Sequence, residues 1–159
     1  NFKRKGFTLL NIFIDADACP VKEEVYRVAR RYALNVTLVA NMWMRIPREE
    51  WLELVVVNDQ PDAADDWIVE HVDKQDIVIA DDIPLADRCL KKEAMVIAPR
   101  GRMFTSDSIG DALATRDLMA HLRESGVVAG GGPTPMAKKD RSLFLQRLDE
   151  TIQGIRRKK

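Results

Sequence analysis

The fold is decided by one stretch near the start of the chain, Leu10-Asn11-Ile12-Phe13-Ile14-Asp15-Ala16-Asp17-Ala18-Cys19-Pro20-Val21. Its apolar first half is short and rich in isoleucine, which predicts a buried strand over residues 10–14. Pro20 suits the first turn of a helix, and apolar residues recur at helical spacing over residues 21–32. The chain therefore opens with a strand and a helix, and two acids lie between them.

The same alternation of short apolar runs and helical segments continues along the chain. It predicts strands at residues 36–39, 54–57, 76–80 and 95–98, and helices at 47–52, 63–72, 84–92, 107–122 and 138–157. Short runs without a clear polar alternation are typical of a parallel sheet that is covered on both faces. We therefore predict an α/β fold of three layers, with a central, mostly parallel sheet and a C-terminal helical appendage.

Length and composition predict one globular domain. The chain has 159 residues, of which 31% are charged and 46% hydrophobic, a balance typical of folded domains. We expect an N-terminal tail at 1–9, the α/β domain at 10–125, and a Gly/Pro loop with a basic helix, packed on the same domain, at 126–159. The 25 basic and 25 acidic side chains give zero net charge, so binding of a polyanion would depend on local patches.

Cysteine content and hydropathy exclude several classes of protein. Cys19 and Cys89 lie far apart and belong to no Cys/His cluster, which argues against a zinc site and a disulfide framework. The apolar run at 10–14 meets two acids without a small-residue cleavage site, unlike a signal peptide. No apolar stretch approaches the roughly 20 residues that span a bilayer, so we expect a cytoplasmic protein without a membrane partner.

Aspartates follow the predicted strands at the points where the strands end. The ligand crevice of an open parallel sheet lies outside the carboxyl ends of its strands, so these acids are the candidate site. If the first strand stays extended, Asp15 and Asp17 point to the same side. The acids form three groups: Asp15 and Asp17 after the first strand, Asp62, Asp65 and Asp66 at the start of helix 63–72, and Asp81 and Asp82 after the fourth strand.

Carboxylates that converge in one cleft repel each other and raise each other's pKa unless a cation lies between them. Oxygen ligands and the scarcity of His and Cys favour Mg²⁺ or Mn²⁺, and two such ions would activate water against a phosphodiester. We expect the metal ligands to be Asp15, Asp17 and one member of each doublet, Asp65/Asp66 and Asp81/Asp82.

A single aspartate near a strand end is as typical of a helix cap or a turn as of a metal ligand. Asp62 precedes helix 63–72 and is predicted to be its N-cap. Asp59, Asp73 and Asp76 are predicted to be solvated turn residues. The grouping of the remaining acids, rather than any one of them, therefore favours a site.

Several motifs occur in order along nearly all of the chain after about residue 11: Asp15-Ala16-Asp17-Ala18-Cys19-Pro20-Val21, Asp62-Ala63-Ala64-Asp65-Asp66-Trp67-Ile68, Asp82-Ile83-Pro84-Leu85-Ala86, Pro99-Arg100-Gly101, Ala114-Thr115-Arg116-Asp117-Leu118-Met119, Gly131-Gly132-Pro133 and Asp140-Arg141-Ser142. Together they resemble the YaiI/YqxD family of bacterial proteins, which is largely uncharacterised. That family resembles PIN-like domains, metal-dependent nucleases whose strand-end carboxylates hold Mg²⁺ or Mn²⁺. The resemblance implies a PIN-like α/β fold and cleavage of RNA or single-stranded nucleic acid.

The resemblance also implies roles for individual acids. Asp15 matches the acid after the first strand, Asp65 or Asp66 the acid on the middle helix, and Asp82 the acid after the later strand. The implied catalytic set is Asp15, Asp66 and Asp82, with Asp17 and Asp65 as supporting metal ligands. Pro84 departs from the pattern, because related nucleases often carry a further acid there, and this departure argues against a two-metal site.

Basic and hydroxyl side chains later in the chain are candidate contacts to phosphate. Arg100, Arg102 and Thr105 follow the fifth strand, and Arg116 lies in helix 107–122. The last helix begins with Lys138 and Lys139, and its positive charge would suit a nucleic acid. Solvent-facing turns and ordinary helix surfaces are the competing interpretations of these groups.

Three tryptophans and one cysteine are further candidates. Trp43, Trp51 and Trp67 would stack on bases, although the position of Trp67 within a helix assigns it to packing. Cys19 at a helix start is a candidate thiol nucleophile. No His or other base lies near it in the sequence, however, so we expect a structural role.

Two other functions fit parts of the pattern. An apolar strand followed by Asp-x-Asp also resembles haloacid dehalogenase-type phosphatases, in which Asp15 would be the covalent nucleophile and Asp17 the acid/base. The chain offers no convincing mid-chain Ser/Thr and Lys motifs for that mechanism. A non-catalytic protein that binds metal or nucleic acid through the acidic cleft is the third hypothesis, and Pro84 favours it.

Overall fold

A computed structural model describes residues 10–126 and 134–158 of the protein. The predicted tail at 1–9 and most of the predicted Gly/Pro loop, residues 127–133, lie outside the described residues. The strands are β1 Asn11–Asp15, β2 Asn35–Ala40, β3 Leu52–Val56, β4 Ile77–Ile79, β5 Met95–Ile97 and β6 Met103–Phe104. The helices are α1 Lys22–Tyr32, α2 Ala63–His71, α3 Ile83–Lys91, α4 Ile109–Glu124 and α5 Lys138–Arg157.

The strands form one six-stranded sheet in the order β3-β2-β1-β4-β5-β6. All neighbouring strands pair in parallel except β5 and β6. In the centre, Ile14 of β1 lies in register with Leu38 of β2 on one side and Ile79 of β4 on the other. The predicted α/β fold with a mostly parallel sheet is confirmed.

Alternate residues of the central strands enter two different cores, one on each face of the sheet. Ile12 and Ile14 belong to a core with α1 and α5. Phe13 and Val78 belong to the opposite core, which α2, α3 and α4 cover. Both sets are buried, which explains why the strands carry no polar alternation in the sequence.

The last helix is an integral part of the first of these cores. Phe144, Leu148, Ile152 and Ile155 of α5 are buried against the sheet and α1. Polar contacts flank the apolar stripe: Arg141 forms an ion pair with Glu24 of α1 at 3.1 Å, and the Tyr32 hydroxyl donates to Asp149. The helix begins and ends where the sequence predicts, and none of the described helices is long and apolar enough to cross a membrane.

The helix predicted at residues 47–52 is wrong. Residues 43–49 have no regular structure, and β3 begins at Leu52. The backbone of this segment pairs with the sheet instead, because the Val36 amide donates to the Trp51 carbonyl at 2.8 Å. The Trp51 ring packs edge-on against Tyr26 at a centroid distance of 6.2 Å, which fixes the entry into β3.

Asp76 is also predicted wrongly, because it is buried rather than solvated. Its carboxylate accepts hydrogen bonds from the Asn11 amide at 2.9 Å and the Asp73 amide at 2.8 Å. Buried acids are tolerated when such donors satisfy their oxygens. Asp76 therefore joins the start of β1 to the turn that precedes β4.

The short strand β6, which the sequence does not predict, follows a tight turn at Gly101. The Gly101 amide donates to the Ala98 carbonyl at 2.8 Å, and the Ala98 amide donates to the Arg102 carbonyl at 2.8 Å. Gly101 has a φ of +96° and lies so close to α5 that an added Cβ would be 2.7 Å from Leu143 Cγ and 3.1 Å from the Phe144 amide nitrogen. Glycine is thus required here both for conformation and for space.

Replacing this glycine should loosen the contact between the turn and α5. We expect Gly101→Ala to lower the free energy of unfolding by about 2–4 kcal/mol, through left-handed strain and overpacking, as measured by urea denaturation. Gly154→Ala, on α5 with no atom within 4 Å of the added Cβ, is the matched control and should raise it by about 0.5–1 kcal/mol. Equal urea midpoints for Gly101→Ala and the parent would contradict the close packing.

Candidate metal centre at the carboxyl edge of the sheet

The carboxyl ends of β1, β2 and β4 meet at one edge of the sheet. Asp15 is the last residue of β1 and lies in register with Val39 of β2. Because Ile14 pairs with Ile79, the segment that follows β4 leaves the sheet beside Asp15. The first turn of α2 comes to the same place, since α2 packs against β1 and β2.

Asp15 lies at the centre of this edge and is partly buried. Burial, followed by the negative charges of Asp82 and then Asp17, raises its pKa from the usual 3.8 to about 6. The carboxylates of three separate segments therefore act on one another.

Asp65, in the first turn of α2, has the same electrostatic environment. Burial and then the charges of Asp82, Asp15 and Asp62 raise its pKa, Arg88 opposes the rise, and the resulting pKa is about 6. Asp15, Asp65 and Asp82 thus form one group of mutually repelling acids, which we call the acidic group.

Asp82 is held in place by the start of α3. It is the N-cap of that helix, and its Oδ1 accepts a hydrogen bond from the Leu85 amide at 2.9 Å. Pro84 occupies the first turn, where a missing N–H is harmless. Pro84 is therefore well suited to the start of the helix whose N-cap is Asp82.

Asp17 does not lie on an extension of β1, so the extended backbone that would place Asp15 and Asp17 on one side by alternation is not present. The strand ends at Asp15, and Ala16–Ala18 form a 3-10 turn. Asp17 is exposed, and its Oδ2 accepts a hydrogen bond from the Asn41 amide at 3.0 Å. It therefore ties the end of β1 to the end of β2 while its charge still acts on Asp15.

Of the Asp65/Asp66 doublet, the structure brings Asp65 to Asp15. Asp66 is exposed and forms an ion pair with Arg88 of α3 at 2.9 Å. Of the second doublet, Asp82 belongs to the acidic group, whereas Asp81 is exposed. Asp62 occupies the N-cap position of α2 as predicted, but its side chain makes no capping hydrogen bond.

The predicted phosphate contacts are only partly brought to this edge. Partial desolvation of its carboxylate raises the pKa of Asp81 even though the residue is exposed, and the charges of Arg100 and Arg102 oppose that rise, so both guanidinium groups lie near the acids. Arg100 also forms an ion pair with Asp140 of α5 at 3.0 Å, and the Arg102 guanidinium lies 5.1 Å from the Phe104 ring centroid.

The other predicted phosphate contacts lie on α4 and α5 or near their starts. The Thr105 hydroxyl is 3.0 Å from that of Ser108 at the start of α4. Arg116 shares a shallow groove with Arg102 and has Asp117 as its ion-pair partner at 3.7 Å. Lys138 and Lys139 are exposed in the first turn of α5.

The acidic group offers the oxygen ligands that a hard cation prefers, but its carboxylates do not converge on a single metal position. Across residues 10–126 and 134–158, no three His, Cys, Asp or Glu side chains are arranged to hold a metal ion. One oxygen of Asp82 is bonded to a helix amide and one of Asp17 to Asn41. Oxygen donors that repel one another fit Mg²⁺ or Mn²⁺.

Thiol chemistry is not supported at either cysteine. Both side chains are buried, and burial raises the pKa of Cys19 to about 11 and of Cys89 to about 12. A thiol with such a pKa carries almost no thiolate at neutral pH. The structural role expected for Cys19 agrees with this.

Two residues at this edge are not predicted from the sequence. Asn41 follows β2 and donates to Asp17, and it also donates through its side chain to the Asn58 carbonyl at 2.8 Å. A polar residue directly after an apolar run was the available signal. Arg88 forms an ion pair with Asp66 and opposes the rise in the pKa of Asp65. No local pattern in the sequence predicts these contacts.

Comparison with known proteins identifies the relatives of the chain. The family model described as "Uncharacterized BCR, YaiI/YqxD family" matches residues 13–154. A UPF0178 protein of Paramagnetospirillum magneticum is 53% identical over 94% of this chain and 98% of its own length. The UPF0178 protein of Rhodospirillum centenum is 55% identical over 94% and 99%, and that of Brucella ovis 55% identical over 92% and 91%.

No solved structure matches the chain. The family model covers most of the sequence, including β1 from Phe13, the acidic group and nearly all of α5. The match and the relatives agree in length and extent, and so the chain belongs to the YaiI/YqxD family.

Proposed function

We propose that the protein is a Mg²⁺- or Mn²⁺-dependent phosphodiesterase that cuts RNA or other single-stranded nucleic acid. One observation carries the proposal: Asp15, Asp65 and Asp82 reach the carboxyl edge of a parallel sheet from three different elements, and burial and mutual repulsion raise the pKa of Asp15 and of Asp65 to about 6. Perturbed acids at a ligand-binding edge are typical of functional sites.

The residues of the edge divide into three roles. The acidic group would hold the metal, which supplies an activated water and charge stabilisation at the phosphate when bound. Asp17 orients the end of β2 through the Asn41 amide. Arg102 and Arg100 lie on the Asp81 side of the edge, where their guanidinium groups would hold the phosphodiester.

A non-catalytic metal- or nucleic-acid-binding protein is the second candidate. It is favoured by the lack, among the described residues, of three acids already arranged around a metal. The phosphatase hypothesis receives less support, because the Asp17 carboxylate that would serve as acid/base accepts a hydrogen bond from Asn41. Cleavage of a nucleic acid distinguishes the nuclease from the non-catalytic binding protein.

The acidic group should be essential for cleavage, and the Asp65/Asp66 doublet provides a matched comparison. We expect Asp15→Asn and Asp65→Asn to reduce Mn²⁺-dependent cleavage of labelled single-stranded RNA by about 100-fold or more, since lost metal contacts commonly have effects of this size. Asp66→Asn, which changes the neighbouring residue on the same helix, should retain most of the activity. The measurement is the cleavage rate with Mn²⁺ and with EDTA. Equal rates for the parent in both conditions, or for Asp15→Asn and the parent in Mn²⁺, would overturn the nuclease proposal.

Burial of Asp15 and repulsion at the edge also predict how stability depends on pH in the metal-free protein. The pKa of Asp15 is about 6 in the folded state against a usual value of 3.8, so the folded state binds this proton more tightly than the unfolded state. Its contribution to stability is complete below about pH 4 and is lost as the pH rises through 6.

Thermal unfolding of Asp15→Asn in EDTA measures this contribution. At pH 7 we expect the variant to be more stable than the parent by about 1 kcal/mol, after allowance for solvent screening, and the difference should shrink toward pH 4. Mn²⁺ should raise the melting temperature of the parent but not that of Asp15→Asn. If the variant and the parent differ in stability by the same amount at pH 4 and at pH 7, the raised pKa of Asp15 is contradicted.

A further inference from the structure

The segment that joins β2 to β3 carries the most exposed large apolar side chains of the described protein. It starts at Asn41, whose amide is bonded to Asp17 at the acidic edge. Met42 and Trp43 follow and are 73% and 74% exposed, respectively. Two residues extend the chain by at most about 7 Å, so Trp43 projects from the immediate border of the acidic edge.

Trp43 differs in environment from the other two tryptophans. Trp51 packs against Tyr26, and Trp67 packs against Phe13 and stacks on His71 at a centroid distance of 3.7 Å. Trp43 makes no ring contact with any described residue. Packing therefore explains two of the tryptophans and leaves the third unexplained.

The exposed tryptophan borders an open groove of about 1330 Å³. One wall is the edge strand β3, with Leu54 and Val56, and the other is the segment after Trp43, with Ile46. Met44 and Ile46 are partly buried against the core, so the segment is anchored although it has no regular structure. A groove fixed in this way suits an extended ligand better than a compact one.

Four charged side chains line the groove, Arg45, Arg48, Glu49 and Glu50, and with Glu49 paired to a residue outside the groove they leave a net positive charge, which favours an anionic ligand. Arg45 and Arg48 are exposed, and neither has an ion-pair or hydrogen-bond partner within the described residues. Glu49, one of the two acids in the groove, forms an ion pair with Arg30 at 3.7 Å. The two arginines therefore remain available for phosphates, beside an aromatic face that is available for a base.

We propose that this groove binds a single-stranded stretch of nucleic acid, with a base stacked on Trp43 and the backbone phosphates held by Arg45 and Arg48. Aromatic faces with nearby cations are how proteins bind single strands without reading their sequence. The choice of ligand rests on the proposed function, and the Asn41–Asp17 hydrogen bond places the start of the segment that lines the groove beside the acidic edge. One strand would thus pass from the groove to the acidic group.

Binding is tested without metal, so that it is separate from cleavage. A fluorescent single-stranded RNA of about ten nucleotides, a length typical of single-strand sites, is titrated in EDTA and followed by anisotropy. Trp43→Ala should weaken binding roughly fivefold or more, because stacking on one aromatic ring contributes that much, and Trp43→Phe should largely restore it. Leu118→Ala, at a side chain 56% exposed on α4, is the control and should bind like the parent.

The arginines are tested through salt dependence. Removing two phosphate contacts should make the slope of log K against log salt shallower by about 1.4 for a single strand. We expect this change in the double variant Arg45→Gln, Arg48→Gln, and we expect a duplex of the same sequence to bind more weakly because its bases are already stacked.

The outcomes separate this inference from the nuclease proposal. Loss of binding in Trp43→Ala supports the groove even if no RNA is cleaved in Mn²⁺. Mn²⁺-dependent cleavage together with parental binding by Trp43→Ala overturns the groove and leaves the nuclease. Equal binding of duplex and single strand also overturns it, as does sedimentation showing that the parent is a dimer and Trp43→Ala a monomer, since the surface would then contact a second copy of the chain.

Discussion

The burial of α5 against the central strands is the contact on which the rest of the structure depends. A parallel sheet must be covered on both faces, and on one face α1 shares this task with α5, whose Phe144, Leu148 and Ile152 are fully buried. Each large apolar side chain contributes roughly 1.5–3 kcal/mol when it is fully buried. The same helix contacts the Gly101 turn and binds Arg100 through Asp140. One helix thus covers one face of the sheet and also holds the turn at Arg100 and Gly101 beside the acidic edge.

The rigid sheet explains how the acidic group persists although its members repel each other. Neighbouring strands are about 4.8 Å apart, and β1 and β4 are locked in register by buried isoleucines. Asp15 cannot move away from the β4 side without breaking that pairing, and Asp82 is held by the start of α3. Burial and, after it, the repulsion therefore appear as raised pKa values of Asp15 and Asp65 rather than as a rearranged edge. A destabilised cluster kept by the surrounding fold is typical of functional sites.

Sequence patterns predict those parts of the structure that depend on long, regular periodicity. α5 and most of the alternation of strands and helices follow from apolar spacing alone. The short strand β6 and the segment at 47–52 do not. The path of that segment depends on the hydrogen bond between the Trp51 carbonyl and the Val36 amide of β2, a contact that is distant in sequence. The prediction that Asp76 is solvated fails for a similar reason, since one of its hydrogen-bond donors is the amide of Asn11, which is far away in the chain. The location of the acids at the strand ends is predictable. The choice of Asp65 over Asp66 is not, because it depends on how α2 packs against the sheet and against α3, whose Arg88 pairs with Asp66.

Charge placement in the folded chain also changes which cations are available to a polyanion. A basic C-terminal helix suggests a nucleic-acid surface, yet Arg141 and Arg147 of α5 form ion pairs with Glu24 and Glu150. These arginines are partly neutralised within the fold, and a neutralised cation attracts phosphate weakly. In a chain with zero net charge, recognition therefore depends on cations whose charge is not balanced nearby. Within the described residues these include Lys138 and Lys139 of α5 as well as Arg45 and Arg48. Arg45 and Arg48 are distinguished by Trp43, an exposed aromatic ring in the same groove, and for this reason we place the path of the strand on the β2–β3 segment rather than on α5.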